Sequence, residues 1–254
     1  MGELTIKPVE SRREQRAFVK LAWTINRDDE NWIPPLRKNL KELVGFKKHP
    51  FHEFATVKNW LAWRDGEAVG RITGIVNPAF NEKYKEKRGF VGFFESVNDQ
   101  EVANGLFDAA WTWLQEQGMT DMRGPINPSL NYEIGLLIDG FDTPPFFMMT
   151  HNLPYYEQLW DNYGFGKAQD AYSFWGHADM LSTLDKKLEF VINEATRRFD
   201  IKLRYLDRKR FREEVERFLH IYNASLEGTW GFTPLSKGEI EHMAAALRHL
   251  VIPE

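Results

Sequence analysis

The residues best equipped for chemistry lie between Gly124 and Asn152. Asn127, Asn131, His151 and Asn152 carry side chains that both donate and accept hydrogen bonds, set among Pro125, Pro128, Pro144 and Pro145. Loops on rigid scaffolds carry function disproportionately, so this stretch is expected to line a substrate pocket. The competing reading is that Asn and Pro simply build turns there. His49 and His52 stand three apart, but Pro50 breaks the helix face that would aim both at one metal, and no metal site is expected. The chain has no Cys, which excludes disulfides, thiolate nucleophiles and zinc-thiolate sites together. It has neither a Gly-x-Ser-x-Gly elbow nor a Walker-type lysine loop. With 33 basic against 37 acidic residues and a formal net charge of -4, it shows no general basic excess for nucleic acid phosphates, so no nucleic acid partner is expected.

Positioning such residues takes a folded scaffold, and the composition supplies one: 43% hydrophobic residues, with 9 Trp and 19 Phe among them, are enough for a packed core. No run approaches 18 uninterrupted apolar residues, and Met1 to Glu10 lacks an apolar stretch; a chain that does not enter a membrane, in the cytoplasm, is expected. Leu4 to Val9 alternates as a strand, and Ser11 caps a helix through Asn26 with Phe18, Leu21, Trp23 and Ile25 on its apolar side. After the Pro34-Pro35 turn comes a short helix, Leu36 to Val44, ended by Gly45. Phe54 to Trp63 and Ala68 to Val76 form an antiparallel pair around Asp65-Gly66. A polar excursion, Asn81 to Arg88, leads to a strand from Phe90 to Ser96. Asn98-Asp99 then caps a helix carrying Val102, Leu106, Ala109, Trp113 and Leu114, which Gly118 ends. Met119 to Ile126 is a further strand, Tyr155 to Tyr163 a helix closed by Gly164, and Ala171 to Trp175 a last strand.

Beyond Ala178 the pattern predicts a helix (Leu184 to Phe199), a strand (Ile201 to Leu206) and two more helices, the last opened by a Ser236/Glu239 capping box. This β-α-α order repeats the N-terminus. Leu4/Ile6 match Ile201/Leu203, and Asn26, Trp32 and Pro35 match Asn223, Trp230 and Pro234 at offsets of 197, 198 and 199 residues. The expected organisation is α/β: one domain over 1–178 with a mixed, mostly antiparallel twisted sheet flanked by helices. Residues 179–254 would be a linker helix and a truncated second copy, of which the native chain would hold more past Glu254. An exposed half-sheet in that tail would favour pairing between chains, a homo-oligomer.

The element order over residues 4 to 175 resembles the GNAT (GCN5-related N-acetyltransferase) superfamily. Tyr155-Tyr156-Glu157-Gln158-Leu159-Trp160-Asp161-Asn162-Tyr163-Gly164-Phe165 looks like that family's helix end before the last strand, where Gly supplies the left-handed stop. Gln100-Glu101-Val102-Ala103-Asn104-Gly105 looks like its pyrophosphate loop, with Ala103 in place of a glycine and Asp99 and Glu101 adding negative charge. The phrase around Asn127 resembles a duplicated, tandem GNAT-like subfamily. The resemblance implies transfer of acetyl from acetyl-CoA to a primary amine of a small molecule or peptide. Gln100 to Gly105 would wrap the pyrophosphate with backbone N–H groups at a helix N-terminus, the strand ending at Ser96 would pair with the pantetheine arm, and Glu95 would be the base. The family's usual tyrosine acid is replaced by Trp160, whose indole is no acid; Tyr156 or Tyr163 is the substitute. Two rival functions stay open: a non-catalytic binding module that keeps the fold, and a tandem-GNAT aminoacyl transferase using charged tRNA, which the acidic balance disfavours.

Overall fold

The computed structural model describes residues 2–177, 179–180, 185–202 and 204–247. Its framework is a five-stranded sheet in the order β1-β2-β3-β4-β5, formed by β1 (Thr5–Pro8), β2 (Thr56–Arg64), β3 (Glu67–Val76), β4 (Arg88–Ser96) and β5 (Asp121–Arg123). Every neighbouring pair is antiparallel except β4 and β5, which run parallel. The β2–β3 hairpin turns at Asp65 and Gly66, both at positive φ (52° and 81°), the geometry that matches strand twist in a two-residue turn. The expected mixed, mostly antiparallel α/β sheet flanked by helices is what the chain forms.

Alternation along β2 gives the sheet two apolar faces. Leu61 joins Phe18 and Leu21 of α1 (Arg12–Ile25) and Leu40 and Leu43 of α2 (Arg37–Leu43). Trp60 and Ala62 join Val102, Leu106 and Phe107 of α4 (Gln100–Glu116) and Tyr156 of α5 (Tyr156–Tyr163). Each large side chain fully buried in these layers contributes about 1.5–3 kcal/mol. α1 starts where the sequence places it: Glu14 N donates to Ser11 Oγ at 3.2 Å while Ser11 N donates to Glu14 Oε2 at 2.7 Å. Gly70 on β3 lets α4 sit low, since a Cβ there would lie 2.8 Å from both Leu106 and Val102.

Four expectations are corrected. The polar excursion Asn81 to Arg88 begins inside a helix, α3 (Pro78–Tyr84), capped by Asn77; it buries only Phe80, too little to show a periodicity. Met119 to Ile126 yields just β5, and Ile126–Asn127 (β6) pairs instead with Glu133–Ile134 (β7) in a second small sheet. Ala171 to Trp175 is no strand: Tyr172, Phe174 and Trp175 are exposed, and among the described residues no strand pairs with them. Ile201 to Leu206 likewise shows no strand at its described residues, Leu203 lying outside them.

By contacts the chain divides into two compact units, at Gly166 and Phe218 rather than at residue 178. The first joins the residues through Gly166 to those from Leu219 onward. There α8 (Lys237–Leu247) opens with the expected box, Glu239 N donating to Ser236 Oγ at 3.2 Å and Ser236 Oγ to Glu239 Oε2 at 2.9 Å. The second, Lys167–Phe218, contains α6 (Lys186–Arg198) and the start of α7 (Phe211–Ser225), with Arg204 bound to Glu214 at 2.7 Å. Among the described residues, no helix is long and apolar enough to cross a membrane.

Candidate functional site

A bulge in β4 builds the site. Thr73 pairs with Gly92 and Arg71 with Glu95, so Phe93 and Phe94 together face the single residue Ile72. Phe93 stands at φ 49°, a conformation costly for a bulky side chain and held by what surrounds it. Two clamps hold it here. Asn127 Oδ1 accepts from Phe93 N at 2.5 Å, and Gly92 lets the chain after β5 press close, for a Cβ at 92 would lie 1.8 Å from Ile126 O. Bulges re-aim the side chains beyond them, and the one beyond this bulge is Glu95.

Glu95 stands in a polar cluster inside the fold. Tyr156 OH donates to Glu95 Oε2 at 2.7 Å, and Asn26 Nδ2, at the C-terminal end of α1, approaches the same oxygen at 3.3 Å. Arg71 reaches Glu95 Oε1 at 3.3 Å, donates to Phe18 O at 2.7 Å and lies over the Phe18 ring. Burial pulls the Arg71 guanidinium down from its ordinary value, while the charge of Glu95 opposes that pull. Tyr156 is 2% exposed; burial, with Glu95 adding to it, pushes its phenol well above the ordinary value, so it remains an O–H donor at neutral pH. Asn127 Nδ2 donates to Glu133 Oε1 at 3.0 Å, so the side chain that clamps the bulge also holds this carboxyl.

The structure brings two of the residues named from the sequence, Glu95 and Tyr156, into contact. It does not bring the other named residues to the same task. Asn131 is spent on fold closure, its Nδ2 donating to Thr233 O at 2.7 Å. Asn152 folds its own loop, accepting from Leu137 N at 2.7 Å and donating to Leu137 O at 3.2 Å. Asn127 clamps the bulge. His151 Nε2 meets Asp29 Oδ2 at 2.7 Å while its Nδ1 is buried without a partner. Burial works to raise the Asp29 carboxyl, but the bonds from His151 and Asn31 N outweigh it and leave it below its ordinary value. Arg71, Asn26 and Tyr155 were missed as site residues, and Glu133 was named only as the end of the Gly124 to Glu133 loop. Only Arg71 carried a signal, a charge within the apolar run of β3.

The residues of the expected cofactor seat make contacts within the fold. Val102, Ala103 and Ser96 are 0% exposed. Gln100 ties α4 to α5, its Nε2 donating to Leu159 O at 3.0 Å and to Asn104 Oδ1 at 2.8 Å. Gly105 lets Ile6 pack against the helix. At the N-terminus of α4, Asp99 Oδ1 accepts from Glu101 N at 2.9 Å, and Arg64 pairs with both Asp99 and Glu101. Arg64 holds Asp99 below the ordinary carboxyl value. An anion thus already sits where a pyrophosphate was expected. The pairing edge of Ser96 is taken as well, since Ser96 N donates to Tyr156 OH at 3.1 Å and Tyr155 OH donates to Ser96 O at 2.6 Å. Trp160 packs with Phe94 and Phe107 at 5.6 and 4.8 Å between ring centroids. These residues do not fit the phosphates and arm of a CoA thioester.

The sheet order and the flanking helices define a mixed α/β fold with the element order that the GNAT resemblance implies as far as α5. No family model matches the chain. It is 32% identical over 251 residues to a bacterial ceramide synthase of Caulobacter vibrioides, covering 98% of this chain and 65% of that protein. It is also 32% identical over 241 residues to protein YghO of Escherichia coli K12, covering 95% of this chain and 61% of that protein. The chain thus spans under two thirds of the length of these relatives. Among solved structures it is similar to an aminoglycoside acetyltransferase, meta-AAC0020, from an uncultured soil metagenomic sample, at TM-score 0.42, 12% identity and coverage of 68% of this chain and 95% of that one. It is similar also to aminoglycoside N-acetyltransferase AAC(6')-Iy in complex with CoA, at TM-score 0.41, 11% identity and coverage of 70% and 97%. Likenesses this distant carry no chemistry across.

Proposed function

We propose that the chain belongs to an N-acyltransferase that forms an amide on the primary amine of a long-chain, amphiphilic acceptor. The observation that carries this is the Tyr156–Glu95 contact of 2.7 Å beneath the β4 bulge, a half-buried carboxylate with its orienting phenol. Support for the acceptor class comes from the relative named a ceramide synthase, a ceramide being a long-chain amine bearing an amide-linked acyl group. In this reading the amine nitrogen forms a bond to the acyl carbon as the bond to the leaving group breaks. Glu95 takes the amine proton, directly or through water; Tyr156 keeps the receiving oxygen aimed, and Arg71 balances the charge. Direct attack of an amine on an activated acyl group needs chiefly positioning, which a constellation this small can supply. The donor is an activated acyl group seated elsewhere than at the N-terminus of α4.

A second reading, a binding module without catalysis, is favoured by one observation: the Arg64–Asp99–Glu101 cluster closing the expected anion seat. A thermal shift series separates the two. A long-chain amino alcohol at about 100 times its dissociation constant should add about 2.7 kcal/mol, and adding an acyl thioester should yield amide product. A shift with no amide at any donor supports the binding module. No shift with either compound removes both readings.

A further inference from the structure

The loop that leads through His151 and Asn152 into α5 presents an apolar tip to solvent. Side chains close its base: Thr150 Oγ1 donates to Gly135 O at 2.9 Å, and Asn152 accepts from Leu137 N at 2.7 Å and donates to Leu137 O at 3.2 Å. Asn31 Nδ2 braces it further along, donating to Phe141 O at 3.0 Å. Compact surface loops with their ends drawn together are frequently functional. At the tip Met149 N donates to Phe146 O at 3.0 Å, and Met148 stands at φ 62°, a conformation that residues with a Cβ rarely adopt. The turn held in this way keeps its side chains out of the core: Phe146 and Phe147 are 70% and 87% exposed, and Met148, Met149 and Ile138 are exposed as well. Four consecutive large apolar side chains in water mark an interaction site.

The tip of a turn projects, which suits insertion into an apolar phase better than enclosure of a single chain. The charge around it selects the phase. From Gly124 to Gly166 the chain has no Lys or Arg, while Asp139 and Asp142 of the loop are exposed. An anionic surface is repelled by such a loop, and one bearing ammonium groups is attracted. The loop is also continuous with the candidate site. His151 at its end meets Asp29, and the neighbouring Asn26 and Tyr156 both contact Glu95.

We propose that Phe146 to Met149 is a docking tip that enters the surface of a lipid bilayer containing the long-chain amine acceptor, with Asp139 and Asp142 meeting ammonium groups there. The amine in that bilayer rests on the acyl-transfer reading; the insertion of the tip does not. The sequence expectation of a chain that stays out of membranes rested on the lack of a spanning run, which docking of this kind does not need.

The test is co-sedimentation of the full chain with three kinds of vesicle: phosphatidylcholine alone, phosphatidylcholine with a long-chain amino alcohol, and phosphatidylcholine with phosphatidylglycerol. The wild type should bind the amine-bearing vesicles at least about fivefold more than the neutral ones, and the anionic ones least. Phe146→Ser/Phe147→Ser should lower binding to the amine-bearing vesicles at least about tenfold, and Phe146→Leu/Phe147→Leu should keep most of it. Both positions are exposed, so the serine variant should melt like the wild type. Asp139→Asn/Asp142→Asn should lose the preference for the amine and keep binding to neutral vesicles. Binding to none of the vesicles, a preference for the anionic ones, or binding indifferent to the serines overturns the proposal. If no vesicle is bound and light scattering shows a dimer that the serine variant dissociates, the tip is an interface between copies instead. The expected binding in a chain that makes no amide upholds the docking tip and removes the acyl-transfer reading; amide formation by a chain that binds no vesicle does the reverse.

Discussion

Tyr156 and Trp160 occupy one helix face and show how closely the chemistry depends on a single hydroxyl. Tyr156 OH contacts both Glu95 and Ser96 N, whereas Trp160 Nε1 is buried without a partner. Tyr156→Phe is expected to reduce kcat roughly 100-fold, because Glu95 loses its orienting donor. Trp160→Phe removes no hydrogen bond and conserves an aromatic core, so its rate should stay within about threefold and its stability within about 1.5 kcal/mol. Steady-state kinetics and thermal melts on the two variants check both statements. Glu133 makes a second prediction at this scale. Its folded value lies above its unfolded one, so its stabilising contribution is complete at acid pH and is lost as pH rises through about 7. Glu133→Gln should therefore be more stable than the wild type at pH 8, by on the order of 2–3 kcal/mol, and should gain nothing at pH 4. Urea melts at the two pH values read this directly.

At the scale of elements, the β4 bulge is what the sequence hid. Strand periodicity placed Phe90 to Ser96 correctly, but two residues set against one cannot be read from an alternating pattern, and the positive φ falls on Phe93 rather than on a glycine. The Asp65-Gly66 hairpin, the Ser11 box and the Gly164 stop were legible because each rests on residues adjacent in the chain. Arg71, Asn26 and Glu133 meet only through long-range packing, so no local spacing could group them with Glu95. The tail misled for a related reason: Ala171 to Trp175 has strand-like residues but no partner strand among the described residues. Gly92 provides the sharpest test of the clamp. A Cβ there would lie 1.8 Å from Ile126 O, a backbone atom that cannot swing aside. Gly92→Ala should cost at least about 2 kcal/mol in denaturant melts and should lower activity in the molecules that remain folded. Gly66→Ala, whose Cβ meets nothing within 4 Å, serves as the control that isolates backbone strain.

At the scale of the whole molecule, α8 meets the His49–Glu53 turn of the same unit through a cluster of histidines. The His49 ring lies 4.6 Å from that of His242 and 6.2 Å from that of His52, and His242 Nε2 is 3.5 Å from Glu42 Oε2. Burial lowers His49 to about 4, with the neighbouring His242 and His52 adding to the effect. Because its folded value lies below its unfolded one, His49 supports the fold above the ordinary histidine range, and that support is lost as pH falls toward 4. The melting temperature should drop over this window, by an amount equivalent to about 1–2 kcal/mol after allowance for solvent screening, and less steeply in His242→Gln. Whatever else α8 does, the carboxylate–phenol centre under the β4 bulge carries the functional account. Its most direct test is the rate of amide formation from a long-chain amino alcohol and an acyl thioester, followed by mass spectrometry for the wild type and for Glu95→Gln at matched folding. The account predicts amide from the wild type and a loss of at least about 100-fold in Glu95→Gln; equal rates from the two proteins would contradict it.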